Sequence, residues 1–505
     1  MVVTILSVLK VTVVALYTLC MLALFLFGLN SLLLSFLYLV NRGKQRVRTI
    51  HQQPAEWPFV TIQLPIFNER YMVQRLLEAV TSLDYPPERL QIQVLDDSTD
   101  ATIDLVRPLV DAYQRQGVNI QYAHRSDRSG FKAGALEEGL CTATGEFVAV
   151  FDADFVPERD WLRKVIPYFH DPRAGFVQTR WRHINDKFSL LTRLQSLALD
   201  GHFVVEQTAR FTSGLFMGFN GSAGIWRRAA IEDAGGWQGD TLTEDLDLSY
   251  RAELKGWRPV YIPQITVGSE VPVQVDAVKK QQYRWSKGTV QVFRKLAGSV
   301  LRSNLPLYKR FMALMHLSMY MPFPFVVLTL ILVLPVGLLQ PNMFLYFPFA
   351  VISSLGPPLL YMLAATERLP RLIDRVILLP GMVLFAAGIS LNCSLAVIDG
   401  LIHKGGVFER TPKFNVSNTA RSAARKAYWL PPNPIIYAEI GMGVYLVMSL
   451  YVLWSRAGLV IAPWLIPTAL GYFLIAFMSL ANHWRMSREL MKKSPEKNPV
   501  APQLD

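Results

Sequence analysis

The fold is decided by the stretch Phe147-Val148-Ala149-Val150-Phe151-Asp152-Ala153-Asp154, in which five apolar residues run directly into two aspartates. A short apolar run without polar alternation is typical of a strand that is buried on both faces of a sheet. We therefore predict a strand over Phe147–Asp154. Four more strand-like runs begin at intervals of roughly 28 to 30 residues: Phe59–Phe67, Leu90–Asp97, Asn119–Arg125 and Gly175–Trp181.

The intervals between these runs carry helical patterns, among them Val73–Leu83 and Ala101–Arg115. Strands that alternate with helices at this spacing indicate βαβ units, in which consecutive strands lie parallel. The sequence from about 59 to 270 therefore predicts an α/β domain with a mainly parallel sheet.

Polar residues stand where the predicted strands end. Parallel sheets of this kind bind ligands beyond the carboxyl ends of their strands. Asp152 and Asp154 could together hold a divalent ion, Mg²⁺ or Mn²⁺, with the diphosphate of a nucleotide, because hard cations prefer carboxylate and phosphate oxygens. The alternative is a solvated strand end, since the Asp-x-Asp pattern is common.

The first two strands end in groups that could hydrogen-bond the base and ribose of a nucleotide. The alternative for this region is helix capping, because Ser98 or Asp97 is a suitable N-cap for the helix that follows. The candidate nucleotide-binding residues here are Pro65, Asn68, Glu69, Asp96 and Asp97.

Lys132 follows Gly130-Phe131 at the start of another predicted helix. A lysine beside the free N–H groups of a helix N-terminus is a suitable phosphate contact. The alternative is an ordinary surface lysine.

Glu244 and Asp245, in Leu242-Thr243-Glu244-Asp245, are the candidate catalytic residues. A partly desolvated aspartate has a raised pKa, which suits it to remove a proton from an attacking hydroxyl. The alternative is a helix N-terminus with Thr243 as its cap and the acidic groups interacting with the helix dipole.

Gln281, Arg284 and Trp285 lie in the sequence Gln281-Gln-Tyr-Arg284-Trp285, on a predicted amphipathic helix beside the membrane. Tryptophan offers a flat face on which a sugar ring can stack, and arginine pairs with phosphate. The alternative is a belt of tryptophan and arginine at the bilayer surface.

Long apolar segments flank the α/β domain and indicate an integral, multi-pass membrane protein. The basic residues after the first segment place the catalytic domain in the cytoplasm, at the plasma membrane in a bacterium, and the basic stretch 403–432 and the tail belong on the same side. The segments are 11–40, 312–339, 345–365, 375–400, 433–454 and 458–482.

This orientation requires an even number of crossings between the catalytic domain and the stretch 403–432, although three apolar segments lie there. We expect 375–400 to lie along the membrane interface or to re-enter it, because Asn392, Asp399 and His403 interrupt its apolar pattern. The last two segments are expected to form a transmembrane hairpin.

The predicted organisation has seven parts. They are an anchor (1–48), the catalytic domain (49–275), interface helices (276–311), transmembrane or interface helices (312–402), a cytoplasmic loop (403–432), the hairpin (433–484) and a cytoplasmic tail (485–505).

Composition supports a membrane protein rather than a nucleic-acid-binding one. The chain has 505 residues, of which 51% are hydrophobic and 18% charged, below the roughly 25% charged residues of soluble domains. The net charge of +12 is explained by basic cytoplasmic loops facing anionic headgroups. The sequence contains no recognisable nucleic-acid-binding module, so nucleic acid is not expected as a partner.

The order of these motifs resembles the processive family-2 glycosyltransferases, which include cellulose synthase, hyaluronan synthase and chitin synthase. It is most similar to the plant cellulose-synthase-like enzymes that make glucomannan and the xyloglucan glucan backbone. The similarity runs over residues 58–296. Its carriers include Gln178-Thr-Arg-Trp181, Phe219-Asn220-Gly221-Ser222-Ala-Gly-Ile-Trp226-Arg, Ala234-Gly-Gly-Trp237 and Lys280-Gln281-Gln-Tyr-Arg284-Trp285.

The resemblance implies a GT-A nucleotide-binding domain, with a mixed sheet, inserted between transmembrane helices. It also implies residue roles: Asp97 with Asp96 at the nucleotide, Asp152 and Asp154 at the diphosphate and metal, and Asp245 as the base. Gln281, Arg284 and Trp285 would hold the diphosphate and the acceptor, and the acceptor site would also include Phe219, Asn220 and Gly221.

The segment Phe408-Glu-Arg410-Thr411-Pro-Lys413 is similar to the family's Phe-x-Val-Thr-x-Lys gating loop, so Thr411 and Lys413 are expected to bind the donor. Arg410 stands where the family's loop usually has valine, which is a departure from its pattern. Ser222 stands where relatives often have threonine, and the hydroxyl is kept.

The activity implied is inverting, single-displacement transfer from a nucleotide-sugar, UDP-glucose or GDP-mannose, to a growing β-1,4-linked glucan or mannan. The growing chain would then pass into a channel between the membrane helices. Two alternatives remain open: addition of a single sugar to a lipid such as ceramide or polyprenyl phosphate, and a non-catalytic binding or transport protein on the same fold.

Overall fold

The computed structural model describes residues 2–43, 54–340, 342–369, 371–416 and 430–491. The predicted orientation depends in part on basic residues within 44–48, 421–426 and 492–493, which lie outside these ranges, as does most of the predicted tail. The predicted loop 403–432 is described as far as residue 416.

A seven-stranded mixed sheet forms the centre of the catalytic domain, in the order β3-β2-β1-β4-β6-β5-β7. All neighbours are parallel except β6, which runs antiparallel to both β4 and β5. The mainly parallel sheet and its first five strands agree with the sequence, whereas β6 and β7 were not predicted. The strands are β1 Val60–Ile66, β2 Leu90–Asp96, β3 Ile120–His124, β4 Phe147–Val150, β5 Ala174–His183, β6 Gly224–Arg227 and β7 Arg258–Ser269.

Fifteen α-helices accompany the sheet in the described part of the chain. They are α1 Val2–Asn41, α2 Val73–Thr81, α3 Thr102–Arg115, α4 Phe131–Thr142, α5 Trp161–Val165, α6 Leu190–Asp200, α7 Gln207–Thr212, α8 Arg228–Asp233, α9 Glu244–Leu254, α10 Val275–Arg302, α11 Leu307–Leu317, α12 Pro322–Leu339, α13 Phe347–Ala364, α14 Leu372–Ile402 and α15 Ile435–Met491. A π-helical turn, Gly201–Glu206, joins α6 to α7.

β4 is buried on both faces, as its apolar sequence predicts. Ala149 belongs to the hydrophobic core on one side of the sheet, and Val148 and Val150 belong to the core on the other side. The strand ends at Val150, so the Asp-x-Asp segment follows the strand as a turn rather than extending it. This turn places both carboxylates beyond the edge of the sheet.

Five helical segments of the described residues are long and apolar enough to cross a membrane: Ser7–Asn41, Pro322–Leu339, Met343–Ala364, Leu372–Ile402 and Ile435–Trp484. The apolar segment 312–339 is divided, which corrects its prediction as a single membrane segment. Its first part belongs to α11, where Met312, Ala313 and Leu317 are buried, and α12 begins at Pro322, since proline is tolerated in the first turn of a helix.

At both ends of α14 there are contacts with elements that are not candidate membrane spans. Arg368, just before the helix, pairs with Asp186 at 3.1 Å and also with Asp200. At the other end, Arg294 of α10 donates to the carbonyl of Gly400 at 3.0 Å. α14 is also long and apolar enough to cross a membrane, so the placement of 375–400 along the interface remains a prediction.

α15 is helical from Ile435 to Met491, but it is not straight. Lys279 Nζ donates to Glu439 Oε2 at 2.8 Å and to Ser479 Oγ at 3.1 Å. Residues 40 positions apart on a straight helix would be separated by about 60 Å. The chain therefore reverses within this helical stretch and forms two antiparallel arms, in which Gly443 packs against Phe473.

Candidate active site

One cavity opens beyond the carboxyl ends of β1, β2 and β4 and is covered by α9, α10 and the segment 408–413. The lining residues come from most of the motifs that the sequence singled out; the Ala234-Gly-Gly-Trp237 motif contributes none, and its Ala234 and Trp237 are buried in the core. Those predicted as site residues are Pro65, Glu69, Asp97, Lys132, Asp152, Asp154, Asn220, Gly221, Glu244, Asp245, Gln281, Arg284, Trp285, Thr411 and Lys413.

Three predicted site residues do not line this cavity. The Asp96 carboxylate is fully buried and accepts from Ser98 N at 2.9 Å and from the Tyr122 hydroxyl at 2.8 Å, so it shapes the turn after β2. Asn68 has a φ of 54°, and its side-chain oxygen accepts from Thr99 N at 2.8 Å. Phe219 is buried in the core against Phe176 and Trp226.

Lys132 stands at the centre of an acidic cluster. Its ammonium lies 2.6 Å from Asp152 Oδ1 and 3.6 Å from Glu244 Oε1, and it donates to the carbonyl of Gly221 at 2.9 Å. Burial by itself would lower the pKa of Lys132, but the Asp152 and Glu244 carboxylates raise it above its ordinary value. Lys132 is therefore a fixed positive charge on the cavity wall.

Asp245 lies in the first turn of α9, beside this cluster. Burial raises the pKa of its carboxyl to about 7, and the charge of Glu244 adds to the effect, while Lys132 opposes it. Gly221, at a φ of +77°, leaves the space that Asp245 needs, because a Cβ there would lie 2.8 Å from Asp245 Oδ2. A carboxyl with this pKa in a cavity is suited to general-base chemistry.

The segment after α14 docks on the cavity through Lys413. Its ammonium lies 2.8 Å from Asp154 Oδ2 and also contacts the Glu270 carbonyl. The Glu270 carboxylate accepts from Phe414 N at 3.0 Å and from Val416 N at 2.9 Å. Glu270 was missed in the sequence because the strand that it follows, β7, was not predicted.

Arg410, the departure from the family's gating-loop pattern, has a specific partner. Its guanidinium donates to both oxygens of Glu69, each at 2.9 Å. Burial raises the pKa of Glu69 to about 7 although Arg410 acts in the opposite direction. Phe408 of the same segment covers Arg284, whose guanidinium carbon lies 4.1 Å from the ring centroid.

The Asp97 end of the cavity holds two arginines that were not predicted as site residues. Arg125 binds the Asp97 carboxylate through two hydrogen bonds of 2.7 and 2.6 Å. Arg128 lines the cavity and stands 3.4 Å over the Phe67 ring. The pattern Arg125-x-x-Arg128 just before Gly130 is the sequence signal that could have found them.

The hydroxyl of Ser222 has a structural role behind the cavity. Asp152 N donates to Ser222 Oγ at 3.0 Å, and Trp181, which lines the cavity, donates from its indole to the Ser222 carbonyl at 3.2 Å. Ser222 therefore fixes the backbone of the Asp-x-Asp turn, and the hydroxyl shared with threonine is the part that matters.

Asp152 and Asp154 fit a divalent ion as a pair of ligands. Both line the cavity, and each carboxylate is held by a cation, Lys132 and Lys413 respectively. Among the described residues no group of three or more His, Cys, Asp or Glu side chains forms a metal cluster. The remaining ligands would have to be water molecules and diphosphate oxygens. Mg²⁺ commonly binds in this way, with one or two carboxylates, substrate phosphates and several waters.

Polar atoms without partners point to a polar ligand in the same cavity. Within the described ranges, Arg128 Nε, Arg284 Nε and Thr411 Oγ1 are buried and make no hydrogen bond. Buried polar groups are costly unless they are paired. A phosphorylated, hydroxyl-rich molecule would satisfy them.

Comparison with known proteins identifies the catalytic domain. Residues 58–288 match the family model described as glycosyltransferase like family 2. The chain carries a family-2 glycosyltransferase domain. The predicted resemblance to the cellulose-synthase-like group is confirmed, and the mixed sheet is that of the GT-A-like fold.

The glycosyltransferase domain has close relatives in plants. Over 262 residues, 51% of this chain and 49% of the relative, it is 45% identical to glucomannan 4-β-mannosyltransferase 9 of Arabidopsis thaliana. Glucomannan 4-β-mannosyltransferase 7 of the same plant is 37% identical over 364 residues, 70% of this chain and 64% of the relative. The chain spans about half the length of most of the curated relatives it matches.

Solved structures resemble the chain less closely. The mannosyltransferase PcManGT from Pyrobaculum calidifontis, in complex with GDP-Man and Mn²⁺, is 20% identical, with a TM-score of 0.49 over 75% of this chain and 99% of that chain. TarS residues 1–349 from S. aureus, in complex with UDP, are 15% identical, with a TM-score of 0.38 over 62% of this chain and 92% of that chain.

Proposed function

We propose that this chain is an integral-membrane, inverting glycosyltransferase that builds a β-1,4-linked mannan or glucomannan from GDP-mannose. The observation that carries the proposal is the position of Asp245. Its carboxyl, with a pKa of about 7, shares one cavity with the Lys132–Asp152 pair that is suited to a diphosphate.

Transfer requires one displacement at the anomeric carbon. Asp245 removes the proton from an acceptor hydroxyl, and the hydroxyl oxygen forms a bond to C1 of the sugar. The bond from C1 to the diphosphate oxygen breaks, and its electron pair leaves with the diphosphate. Because the attack comes from the face opposite the leaving group, an α-linked donor gives a β-linked product.

The negative charge that develops on the diphosphate is met by the cations of the cavity. Lys132 and Arg284 both line it, and Arg284 Nε makes no other hydrogen bond within the described residues. Charge-assisted hydrogen bonds to phosphate are among the strong ones in proteins. Asp152 and Asp154 would hold Mg²⁺ or Mn²⁺, which neutralises further charge on the leaving group.

The names of the relatives favour mannose over glucose in the donor. The sequence left UDP-glucose and GDP-mannose open, and relatives that are 45 to 46% identical over about half of this chain are named glucomannan 4-β-mannosyltransferases or probable ones. GDP-mannose is therefore the donor to test first, with UDP-glucose as the comparison.

The acceptor is proposed to be the growing polysaccharide. Trp285 lines the cavity and is only half-buried, so its ring offers a stacking face for the terminal sugar. The acceptor enters from the side of α10, next to the helices that are apolar enough to cross a membrane. The catalytic domain is proposed to lie in the cytoplasm, where nucleotide-sugars are made.

The test is to incubate the purified protein with Mn²⁺ or Mg²⁺ and with radiolabelled GDP-mannose or UDP-glucose. We expect a polymer from GDP-mannose that a β-1,4-mannanase degrades. A product of one sugar on an extractable lipid, or incorporation from UDP-glucose alone, would contradict the proposal. Incubation with EDTA in place of the metal tests the Asp152–Asp154 assignment.

A further inference from the structure

A second cavity, of about 950 Å³, lies among the helices that are candidates for membrane spans. Its walls come from α1, α12, α13, α14 and α15. The end next to the catalytic domain is formed by His202, Glu206 and Arg210, together with His316 of α11. This volume is in the range of sites that hold a whole small ligand.

Apart from Asn30 Oδ1 of α1, which is buried and makes no hydrogen bond within the described residues, the walls away from this end offer a ligand little hydrogen bonding. Most of the lining side chains are apolar, and the hydroxyls of Thr329, Ser353 and Thr468 each donate to a carbonyl of their own helix, at 2.7, 3.0 and 2.6 Å. A glycan in such a cavity would leave many of its hydroxyls unpaired, which is costly. A hydrocarbon chain meets no such cost, so the walls favour an apolar occupant.

Arg210 gives the domain end of the cavity an unusual charge. The side chain is 3% exposed, and its Nη1 donates to the Met312 carbonyl at a long 3.4 Å. Its Nε makes no hydrogen bond, and no carboxylate in the described ranges forms an ion pair with it. Buried charges are normally paired, because an unpaired one is very costly.

The two nearest acidic groups do not supply the missing partner. Glu206 lines the same end of the cavity. Burial raises the pKa of its carboxyl, but the His202 hydrogen bond and the charges of His202 and Arg210 lower it below its ordinary value, so Glu206 is a charged neighbour of Arg210. Its Oε2 accepts from His202 Nδ1 at 3.2 Å, and it forms no ion pair with Arg210 within the described residues. Burial raises the pKa of the Glu253 carboxyl well above its usual range, and Glu253 Oε1 accepts from Met217 N at 3.0 Å. Neither carboxylate bonds the guanidinium directly, so Arg210 keeps donors for an anion that enters the cavity, with the Glu206 carboxylate as its neighbour.

We propose that this cavity binds a long-chain lipid monophosphate, with the phosphate at Arg210 and the hydrocarbon chain among α12, α13, α14 and α15. A guanidinium donates to phosphate oxygens in a strong, two-pronged geometry. The apolar walls then cover the tail. The proposal goes beyond the proposed function, since it depends on neither GDP-mannose nor Asp245.

The site would hold the lipid headgroup next to the cavity that contains Asp245 and Lys132, which we call the donor cavity. Asn220 lines the donor cavity, and its side-chain nitrogen lies 2.8 Å from His202 Nε2, which lines the second cavity. Gln207 Nε2 donates to Asn220 Oδ1 at 2.8 Å, which fixes the amide so that its nitrogen faces His202. The Asn220–His202 contact therefore joins the linings of the two cavities, and Arg210 lies at the same end of the second cavity as His202.

The test is native mass spectrometry of the full chain in detergent micelles with three probes: undecaprenyl phosphate, undecaprenol and inorganic phosphate. We expect half-maximal binding of undecaprenyl phosphate at a concentration at least tenfold lower than that needed for undecaprenol. Inorganic phosphate should not bind. Arg210→Gln should reduce the difference between the two lipids to within twofold. Arg193→Gln, an exposed arginine on α6, is the control and should leave it unchanged.

Several outcomes would overturn the proposal: equal retention of the alcohol and the phosphate, a preference that survives in Arg210→Gln, or displacement of the lipid by β-1,4-mannohexaose. Thermal unfolding and GDP binding check that each variant is folded. Should Arg210→Gln not fold, Arg210→Lys and Ala350→Phe still decide. Arg210→Lys keeps the charge and should keep the preference for the lipid phosphate. Ala350→Phe fills part of the cavity proposed for the tail and should weaken retention of both lipids at least fivefold. Retention of both lipids by Ala350→Phe at the wild-type level would contradict the site.

Discussion

The donor cavity has two walls that are held in different ways. The sheet wall is formed by the residues that follow β1, β2 and β4 and by the first turns of α4 and α9. Its charged partners lie at neighbouring strand ends or helix starts. Arg125 and Asp97, for example, are 28 residues apart. On the loop wall, formed by 408–413, Arg410 and Lys413 reach partners that are 341 and 259 residues away. The segment 403–416 has no helix or strand of its own. The sheet wall is therefore fixed by the fold, whereas the loop wall depends on a few ion pairs, and we expect chemistry to reside on the first and donor retention on the second.

Asp245→Asn should give the largest effect, because it removes the proposed base from the fixed part of the site. We expect kcat to fall by about 10² to 10⁴-fold, the usual contribution of a general base. GDP binding should stay within about twofold, since asparagine keeps the shape and can still accept from Leu246 N. Steady-state turnover of labelled GDP-mannose and calorimetric GDP binding measure the two.

Asp104→Asn is the matched control, because Asp104 also lies in the first turn of a helix, α3, but does not line the cavity. It should behave like the wild type. Full activity in Asp245→Asn would show that the base has been assigned to the wrong residue.

Lys413→Met tests the loop wall, where the comparison predicts an effect on donor binding more than on chemistry. The change removes the ammonium that pairs with Asp154 and contacts the Glu270 carbonyl. We expect the KM for GDP-mannose to rise by about 10-fold or more, in line with the loss of a buried charge-assisted contact, while kcat changes less. Faster hydrogen exchange of 405–416 would accompany it. A fall in kcat at unchanged KM would place Lys413 in the chemical step and break the distinction between the walls.

The dependence of kcat on pH should report the titration of Asp245, which lies on the sheet wall. Asp245 must be deprotonated to act as a base, and burial raises its pKa to about 7. Activity should therefore rise with pH through about 7 and fall about tenfold per pH unit below it.

Glu69 also has a pKa of about 7 and lies at the loop contact, so Glu69→Gln separates the two carboxyls. In Glu69→Gln, kcat should still rise with pH through about 7. In Asp245→Asn, the residual kcat should no longer change with pH in this range. Loss of the rise in Glu69→Gln would assign the titration to the loop contact.

The sheet wall could be predicted from the sequence to a large extent, and the loop wall only through the resemblance. Strand-end geometry by itself brings Asp97, Lys132 and Asp152 together, because a parallel sheet gathers its carboxyl ends at one edge. The pairing of Arg410 with Glu69 follows no local rule, since it depends on how the chain returns from the membrane helices.

The strands that were missed have physical explanations. β6 has only four residues, too few for a periodic pattern to be recognised. β7 contains Pro259 and Pro263, which argue against a central strand, yet β7 is the last strand in the sheet order, and prolines are tolerated at an edge. The loss of β7 from the prediction is also why Glu270, directly after it, was not recognised.

Arg410→Val restores the residue usual in the family's loop and should have a moderate effect. It removes two hydrogen bonds to Glu69 in a partly buried position. We expect donor affinity to fall by about three- to tenfold, and a double-mutant cycle with Glu69→Gln to give a coupling of about 1 to 3 kcal/mol. Additive effects in the cycle would show that the pair does not hold the loop.

Ser222→Thr should have the smallest effect of the series. The threonine hydroxyl can still accept from Asp152 N, so the turn that carries both aspartates keeps its support, and we expect kcat to stay within about twofold. Ser222→Ala lacks that acceptor and leaves a buried N–H unpaired, which costs about 1 to 3 kcal/mol, so its unfolding temperature and its kcat should both fall further than those of Ser222→Thr. Because Ser222 is fully buried, the added methyl of threonine needs space beside β4. If threonine proves as harmful as alanine, packing rather than the hydrogen bond decides this position, and the rigidity of the sheet wall has a different source.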